Sequence, residues 1–241
     1  MKAMRRGHYD VRPITRAQEM AAVRALRARA FGVAAAGAQD PFDRRCLQVG
    51  VWDARTGGLV GAFRLFPLTG PVLSQSYAAG FYDLAALAGY EGLLLELGRF
   101  CIDPARQDPD ILRVAWAALT AYVDAHDVQF LFGCSSFQGT ETIPYLDAFA
   151  LLRARHVAPG RWCPGIKAPE VFRFAARLRR KPDLRQAMQA MPPLLRTYLL
   201  MGGWVSDHAV VDHEMNTLHV FTGLEIGAIP ATRKRLLRAM V

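Results

Sequence analysis

The chain has 241 residues, 52% of them hydrophobic and 21% charged, with 20 Gly and 14 Pro. That supports one substantial core with a small appended subdomain and excludes a disordered, collagen-like or linker-type chain. The +9 charge, from 30 Lys and Arg against 21 Asp and Glu, favours an acidic partner: nucleic acid, an anionic membrane or an acidic carrier protein.

Residues 1–8 are charged and lack an apolar stretch, and the longest uncharged span, 65–82, is interrupted by Pro, Gly, Ser and Gln. The expected location is therefore cytoplasmic. Cys46, Cys101, Cys134 and Cys163 never form a Cys-x-x-Cys pair and read as reduced core residues, with no metal site.

In chain order, Thr15 with Gln18 three residues later signals a capping box, and Met20, Val23, Leu26, Ala30 and Phe31 recur at helical spacing, predicting a helix over 16–31. Residues 46–52 and 59–68, separated by Gly57-Gly58, predict an antiparallel hairpin. A strand follows over 93–103, apolar on both faces. Asp108 then caps a helix that has Pro109 in its first turn and runs to about His126. A second apolar strand over 128–135 and a helix over 143–155 complete a strand, helix, strand, helix order that suggests a parallel pair joined by a crossover. Beyond residue 159 the chain becomes Pro- and Arg-rich, with a short helix over 194–201, a strand over 218–226 and a basic segment over 230–241. The expected class is α/β (α+β), divided into a core of residues 1–158 and an extension of 159–241 packed on it.

Charge stands beside apolar strand residues in three places: Asp40-Pro41-Phe42-Asp43, Gly61-Ala62-Phe63-Arg64-Leu65 and Leu95-Glu96-Leu97-Gly98-Arg99-Phe100. Strict alternation puts Glu96 and Gly98 on one face and Arg99 on the other unless a bulge intervenes. A carboxylate there needs a partner, and an ion pair of Glu96 with Arg64 or Arg99 is one explanation. Asp40 and Asp43 either face a cationic ligand, with Arg27 or Arg64 placed to meet an anionic group, or cap a loop and pair with Arg44 or Arg45.

Arg27-x-x-x-Phe31, Asp40-x-x-Asp43, Gly61-x-x-Arg64, Leu95-Glu96-x-x-Arg99-Phe100 and Phe132-Gly133-Cys134-Ser135-Ser136-Phe137 occur in this order. Together they resemble the ornithine N-acyltransferases of ornithine-lipid synthesis and, more distantly, the acyl-homoserine lactone synthases, both of the GNAT superfamily. The resemblance runs from about Ile14 to Ile226, and residues 191–199 and 216–220 resemble the ornithine branch.

The resemblance implies a mixed, twisted sheet whose two central parallel strands, 93–103 and 128–135, splay apart to admit an extended donor arm. Gly98, Phe100, Cys134 and Ser135 would line that slot. Arg27, Phe31, Asp40, Asp43 and Arg64 would bind the acceptor. Glu96 would serve as general base, through water, and a backbone N–H at Gly98 or Arg99 would hold the oxyanion. The implied activity moves a (3-hydroxy)acyl chain from acyl-carrier protein to the α-amine of ornithine, giving lyso-ornithine lipid, with no cofactor. The alternatives are a lactone synthase using S-adenosylmethionine and a non-catalytic basic module on membrane or nucleic acid. Residues 103–110 lack the glycines of a pyrophosphate cradle and carry three acids and two prolines, which disfavours coenzyme A as donor.

Other signals carry less. The run 207–214 holds two histidines five apart, the wrong spacing for one metal-binding face. The basic stretches lack the interleaved aromatics of nucleic-acid binders. Val171, Phe172, Ala175 and Leu178 share a helical face ringed by Arg173, Arg177, Arg180 and Lys181, a pattern suited to peripheral contact with an anionic membrane surface.

Overall fold

The structure is a computed structural model that describes residues 1–32 and 40–239. In chain order its elements are β1 (Met4–Arg6), β2 (Tyr9–Pro13), α1 (Ala17–Phe31), β3 (Leu47–Asp53), β4 (Gly58–Leu68), β5 (Tyr82–Asp83), β6 (Leu93–Ile102), α2 (Pro109–Ala125), β7 (Val128–Gln138) and α3 (Leu146–Arg155). There follow β8 (Gly165–Ile166), β9 (Val171–Phe172), α4 (Phe174–Arg177), α5 (Leu184–Ala190), α6 (Pro193–Leu200), β10 (Trp204–Val205), β11 (Ala209–Asp212), β12 (Thr217–Glu225) and α7 (Ala231–Arg238).

The chain forms two compact units: residues 1–67, 97–128 and 231–241, and residues 68–96 and 129–230. Residues on either side of 158 share one hydrophobic cluster, in which Phe137 and Phe149 pack with Phe174, Leu195 and Val220.

In the first unit, β1, β2, β3 and β4 form an antiparallel ladder. The predicted hairpin is β3–β4, and Gly57 in its turn has φ +70, a conformation L side chains rarely adopt. Alternation along β4 sorts the helices. Ala62 packs with Val23 and Leu26 of α1, whereas a Cβ at its neighbour Gly61 would lie 3.3 Å from Ile111 of α2, so α1 and α2 take opposite faces.

The α1 capping box is met differently from the expectation. Glu19 Oε2, not Gln18, accepts from the backbone N–H of Thr15 and Arg16. A carboxylate also satisfies the positive end of the helix, which an amide does not. The α2 cap is as read: Asp108 Oδ1 accepts from Asp110 N, and its Oδ2 accepts from the Tyr9 hydroxyl of β2.

In the second unit β12 pairs antiparallel with β7 and β11, and β9 adds to β11. Leu218 and Val220 of β12 enter the cluster built with α3 to α6. Phe221 points to the other face, where it stacks with Phe132 and Trp204 at ring separations of 5.7 and 5.9 Å. That stack approaches the backbone closely, since a Cβ at Gly223 would fall 2.6 Å from Trp204 and 2.7 Å from Phe130.

Two expectations need correction. Residues 171–178 are not one amphipathic helix: Val171 and Phe172 pair with β11, and α4 is a single turn. Phe174 is buried, with Ala175 and Leu178 packed on the same cluster, so the apolar face is already covered by the core. Of the four cysteines, all free, only Cys101 is buried; the others are half-buried. The basic segment from residue 230 is helical as α7, and its last two residues, 240 and 241, lie outside the described residues.

Candidate active site

In the first unit, α1, the 3-10 turn Pro41–Arg44, β3, β4 and β6 bring five of the singled-out charges together. Gln48 and Arg64 are direct partners across the β3–β4 ladder. Arg27, 1% exposed, reaches from α1 with Nη1 to Asp43 Oδ1 at 2.6 Å and Nη2 to Gln48 Oε1 at 2.7 Å. Asp40 Oδ1 caps the turn by accepting from Phe42 N, and its Oδ2 accepts from Arg64 at 2.7 Å and Arg99 at 3.1 Å.

Burial raises the Asp40 carboxyl, but the Arg64 charge, the Phe42 N–H and the Arg99 charge outweigh it and hold the group below the ordinary carboxylate value. Asp40 does cap a loop, yet the arginines the two aspartates hold are Arg27, Arg64 and Arg99, from other elements. Asp43 Oδ2 is buried with no hydrogen bond, and Arg24 approaches it only to 3.8 Å.

Arg99 reaches Asp40 because β6 breaks its alternation. Its φ is +50, a left-handed conformation inside a strand that costs a non-glycine residue about 1–2 kcal/mol. Gly98 faces Arg64 as well, since a Cβ there would lie 3.0 Å from the guanidinium Nε. Successive residues thus lie against the same Arg64–Asp40 pair, a break in strand alternation, and such strained residues concentrate at functional sites. Phe100 stacks on Phe63 at 5.8 Å, and Phe31 packs on the α1 cluster with Leu26 and Cys101.

In the second unit, Glu96 is 4% exposed. Its Oε2 accepts from Tyr77 N at 2.9 Å and its Oε1 from Ala78 N at 2.7 Å, so both oxygens fasten the turn that leads into β5. Ser76 Oγ closes the same turn by accepting from Ala79 N. Cys134 stands opposite Phe221 in the β7–β12 ladder, whereas Ser135, on the other face and 3% exposed, accepts from the Thr222 hydroxyl.

Sequence reading missed the buried set around Tyr82. The Tyr82 hydroxyl lies 2.8 Å from the carbonyl oxygen of His219, to which it donates, and 3.0 Å from the His219 Nδ1. Burial, aided by nearby His208, lowers the His219 pKa to about 3. In an unfolded chain the imidazole protonates near pH 6.5, so between these values the unfolded state binds more protons. Stability from keeping His219 neutral is whole above pH ~6.5 and falls toward pH ~3, by about 1.4 kcal/mol per unit. His219→Phe is therefore expected to flatten the loss of stability between pH ~6 and ~4 in urea titrations. A wild-type slope in the variant would show that His219 is not the titrating group.

Residues 20–117 match the family model described as an acetyltransferase (GNAT) domain. The L-ornithine N(alpha)-acyltransferase of Rhizobium meliloti is 31% identical over 210 residues, covering 79% of this chain and 67% of that protein. The chain belongs to the L-ornithine N(alpha)-acyltransferase family. The Rhodobacter capsulatus member is 34% identical over 157 residues, and the match spans 65% of this chain but 60% of that protein's length. Among solved structures, FeeM, an N-acyl amino acid synthase from uncultured soil microbes, superposes with a TM-score of 0.53 at 14% identity, over 91% of this chain and 92% of that one. The fold of this family member is thus the mixed α/β fold of GNAT acyltransferases.

Proposed function

We propose that the chain is an N-acyltransferase that moves an acyl chain from an acyl-carrier-protein thioester to the α-amine of ornithine, giving lyso-ornithine lipid. Its kinship with relatives named for that acceptor carries the reading. In this scheme the amine nitrogen attacks the thioester carbonyl, the C–S bond breaks and the carrier's thiol leaves as the thiolate. Glu96 takes the amine proton, directly or through water. The oxyanion is assigned to a backbone N–H at Gly98 or Arg99, where β6 departs from regular strand geometry. No acyl-enzyme is required, because an amine attacks a thioester directly.

The loop before α2 supports a carrier-bound donor over coenzyme A. Ala105 N and Arg106 N both donate to Asp103, and Asp108 occupies the start of the helix. These N–H groups are committed to carboxylate and carbonyl oxygens of their own loop, where a pyrophosphate would need them. The whole +9 excess lies in the first unit, since the second carries equal numbers of cationic and anionic side chains; an acidic carrier is expected to be drawn there.

Mass spectrometry of reactions containing ornithine and either donor tests this. N-acylornithine is expected from the carrier-bound donor, at a rate that falls as salt shortens the Debye length from about 10 Å at 0.1 M. Equal use of acyl-coenzyme A across that range would sink the carrier assignment, and a lactone in place of an aminolipid would sink the acceptor.

A further inference from the structure

The membrane-facing helix expected over residues 171–178 does not exist, but an exposed apolar surface with a cationic border stands on neighbouring elements of the second unit. Leu184 and Met188 are four residues apart on α5 and are 48% and 42% exposed, while Ala187 on the other face enters the core. The 3-10 turn Ile143–Tyr145 packs beside α5, and its Ile143 is 74% exposed. All three are large aliphatic side chains standing in solvent, which a soluble surface rarely groups.

The segment around them, residues 173–185, carries six cations and one acid. The acid, Asp183, caps α5 by accepting from Arg185 N and Gln186 N, and Arg180 is paired with Asp147 at 2.9 Å. Arg173, Arg177, Lys181 and Arg185 are exposed and have no ionic partner among the described residues. The second unit has no net charge of its own, so this is a local concentration.

We propose that Ile143, Leu184 and Met188 insert at the headgroup boundary of an anionic membrane while the surrounding cations meet lipid phosphates. No helix among the described residues is long and apolar enough to cross a membrane, so the contact is interfacial. Protein interfaces take their strongest contacts from Trp, Tyr and Arg anchors seated in complementary pockets. Here the protruding groups are aliphatic and separate, as suits a fluid apolar layer. The inference rests on the acyl-ornithine reading only for its motive, that an amphiphilic product must leave water.

The test is co-sedimentation of the full chain with vesicles of phosphatidylcholine alone or with about 30% phosphatidylglycerol, at low and high salt. Binding is expected on the anionic vesicles only and is expected to weaken with salt. Ile143→Asp with Leu184→Asp is expected to lower the partition at least about tenfold, and Arg173→Glu with Arg177→Glu to flatten its salt dependence. Should the aspartate pair unfold the protein by circular dichroism, Ile143→Ser with Leu184→Ser replaces it. Wild-type binding by the folded variants, or no binding to either vesicle, overturns the proposal. So does an acidic carrier protein that binds the wild type and loses binding on these substitutions while vesicles do not bind. Acyl transfer between soluble substrates is expected to be unchanged in the surface variants, so an inactive wild type would count against the enzymatic reading and leave the vesicle result standing.

Discussion

Glu96→Gln is expected to lower acyl transfer about 10²- to 10⁴-fold and, separately, to cost the fold about 1–3 kcal/mol. The two effects have different origins. Loss of turnover follows if the carboxylate accepts the proton of the attacking amine, for which an amide has no comparable basicity. Loss of stability follows from geometry: Tyr77 N and Ala78 N each donate to one carboxylate oxygen, and in the amide one of them meets an NH₂ group instead of an acceptor. A carboxylate offers about four acceptor sites, so accepting from Tyr77 N and Ala78 N does not by itself prevent it from taking a proton. Ser76→Ala separates them, because it loosens the same turn through Ala79 N without touching the carboxylate. Ser76→Ala is expected to lose stability and retain most turnover. A tenfold or greater fall in turnover in that variant, matched by Glu96→Gln, would move the role of Glu96 from proton acceptor to positioning of the turn.

What the sequence disclosed, and what it hid, divides by the range of the interactions. The β3–β4 hairpin and the α2 cap were legible because Gly57-Gly58 and Asp108-Pro109 act on backbone within a few residues. The anomaly of Glu96 inside an apolar strand was legible too, as was charge beside strand residues at Asp40, Asp43, Arg64 and Arg99, but the pairing of Asp40 with Arg64 and Arg99 was not. The Glu96 partners were not, because backbone N–H groups, here those of Tyr77 and Ala78, are common to every residue type but Pro and leave no signature. The phase of β6 was hidden by Arg99, a residue that does not advertise a left-handed conformation as glycine does. Residues 171–178 have helical periodicity, but Val171 and Phe172 found a ladder on β11, a tertiary choice that overrides local pattern. Tyr82 and His219 meet across 137 residues of sequence, and nothing local to either marks the other.

Asp43→Asn is expected to raise the ornithine requirement roughly 10- to 100-fold with little change toward the acyl donor, on top of a stability loss from its buried pair with Arg27, whereas Asp40→Asn is expected to act on stability alone. From sequence the two aspartates are equivalent candidates for the acceptor's side-chain ammonium; their surroundings separate them. Both Asp40 oxygens are engaged, Oδ2 by two guanidiniums and Oδ1 by the Phe42 N–H. Removing its charge takes from Arg64, 2% exposed, its closest carboxylate and leaves that of Asp43 at 3.9 Å, and weakening a mostly buried pair from one side costs about 2–4 kcal/mol. Asp43 keeps one oxygen on Arg27 and leaves Oδ2 without a hydrogen bond. A ligand ammonium that displaces the partly exposed Arg24 would complete that oxygen with a charge-assisted bond of about 1.5–3 kcal/mol, which sets the fold-change expected. Steady-state kinetics with each substrate varied in turn, alongside urea unfolding of both variants, distinguishes the two roles. Unchanged ornithine kinetics in a folded Asp43→Asn variant would remove Asp43 from the acceptor site. An Asp40→Asn variant of wild-type stability but impaired ornithine use would return the ammonium to Asp40.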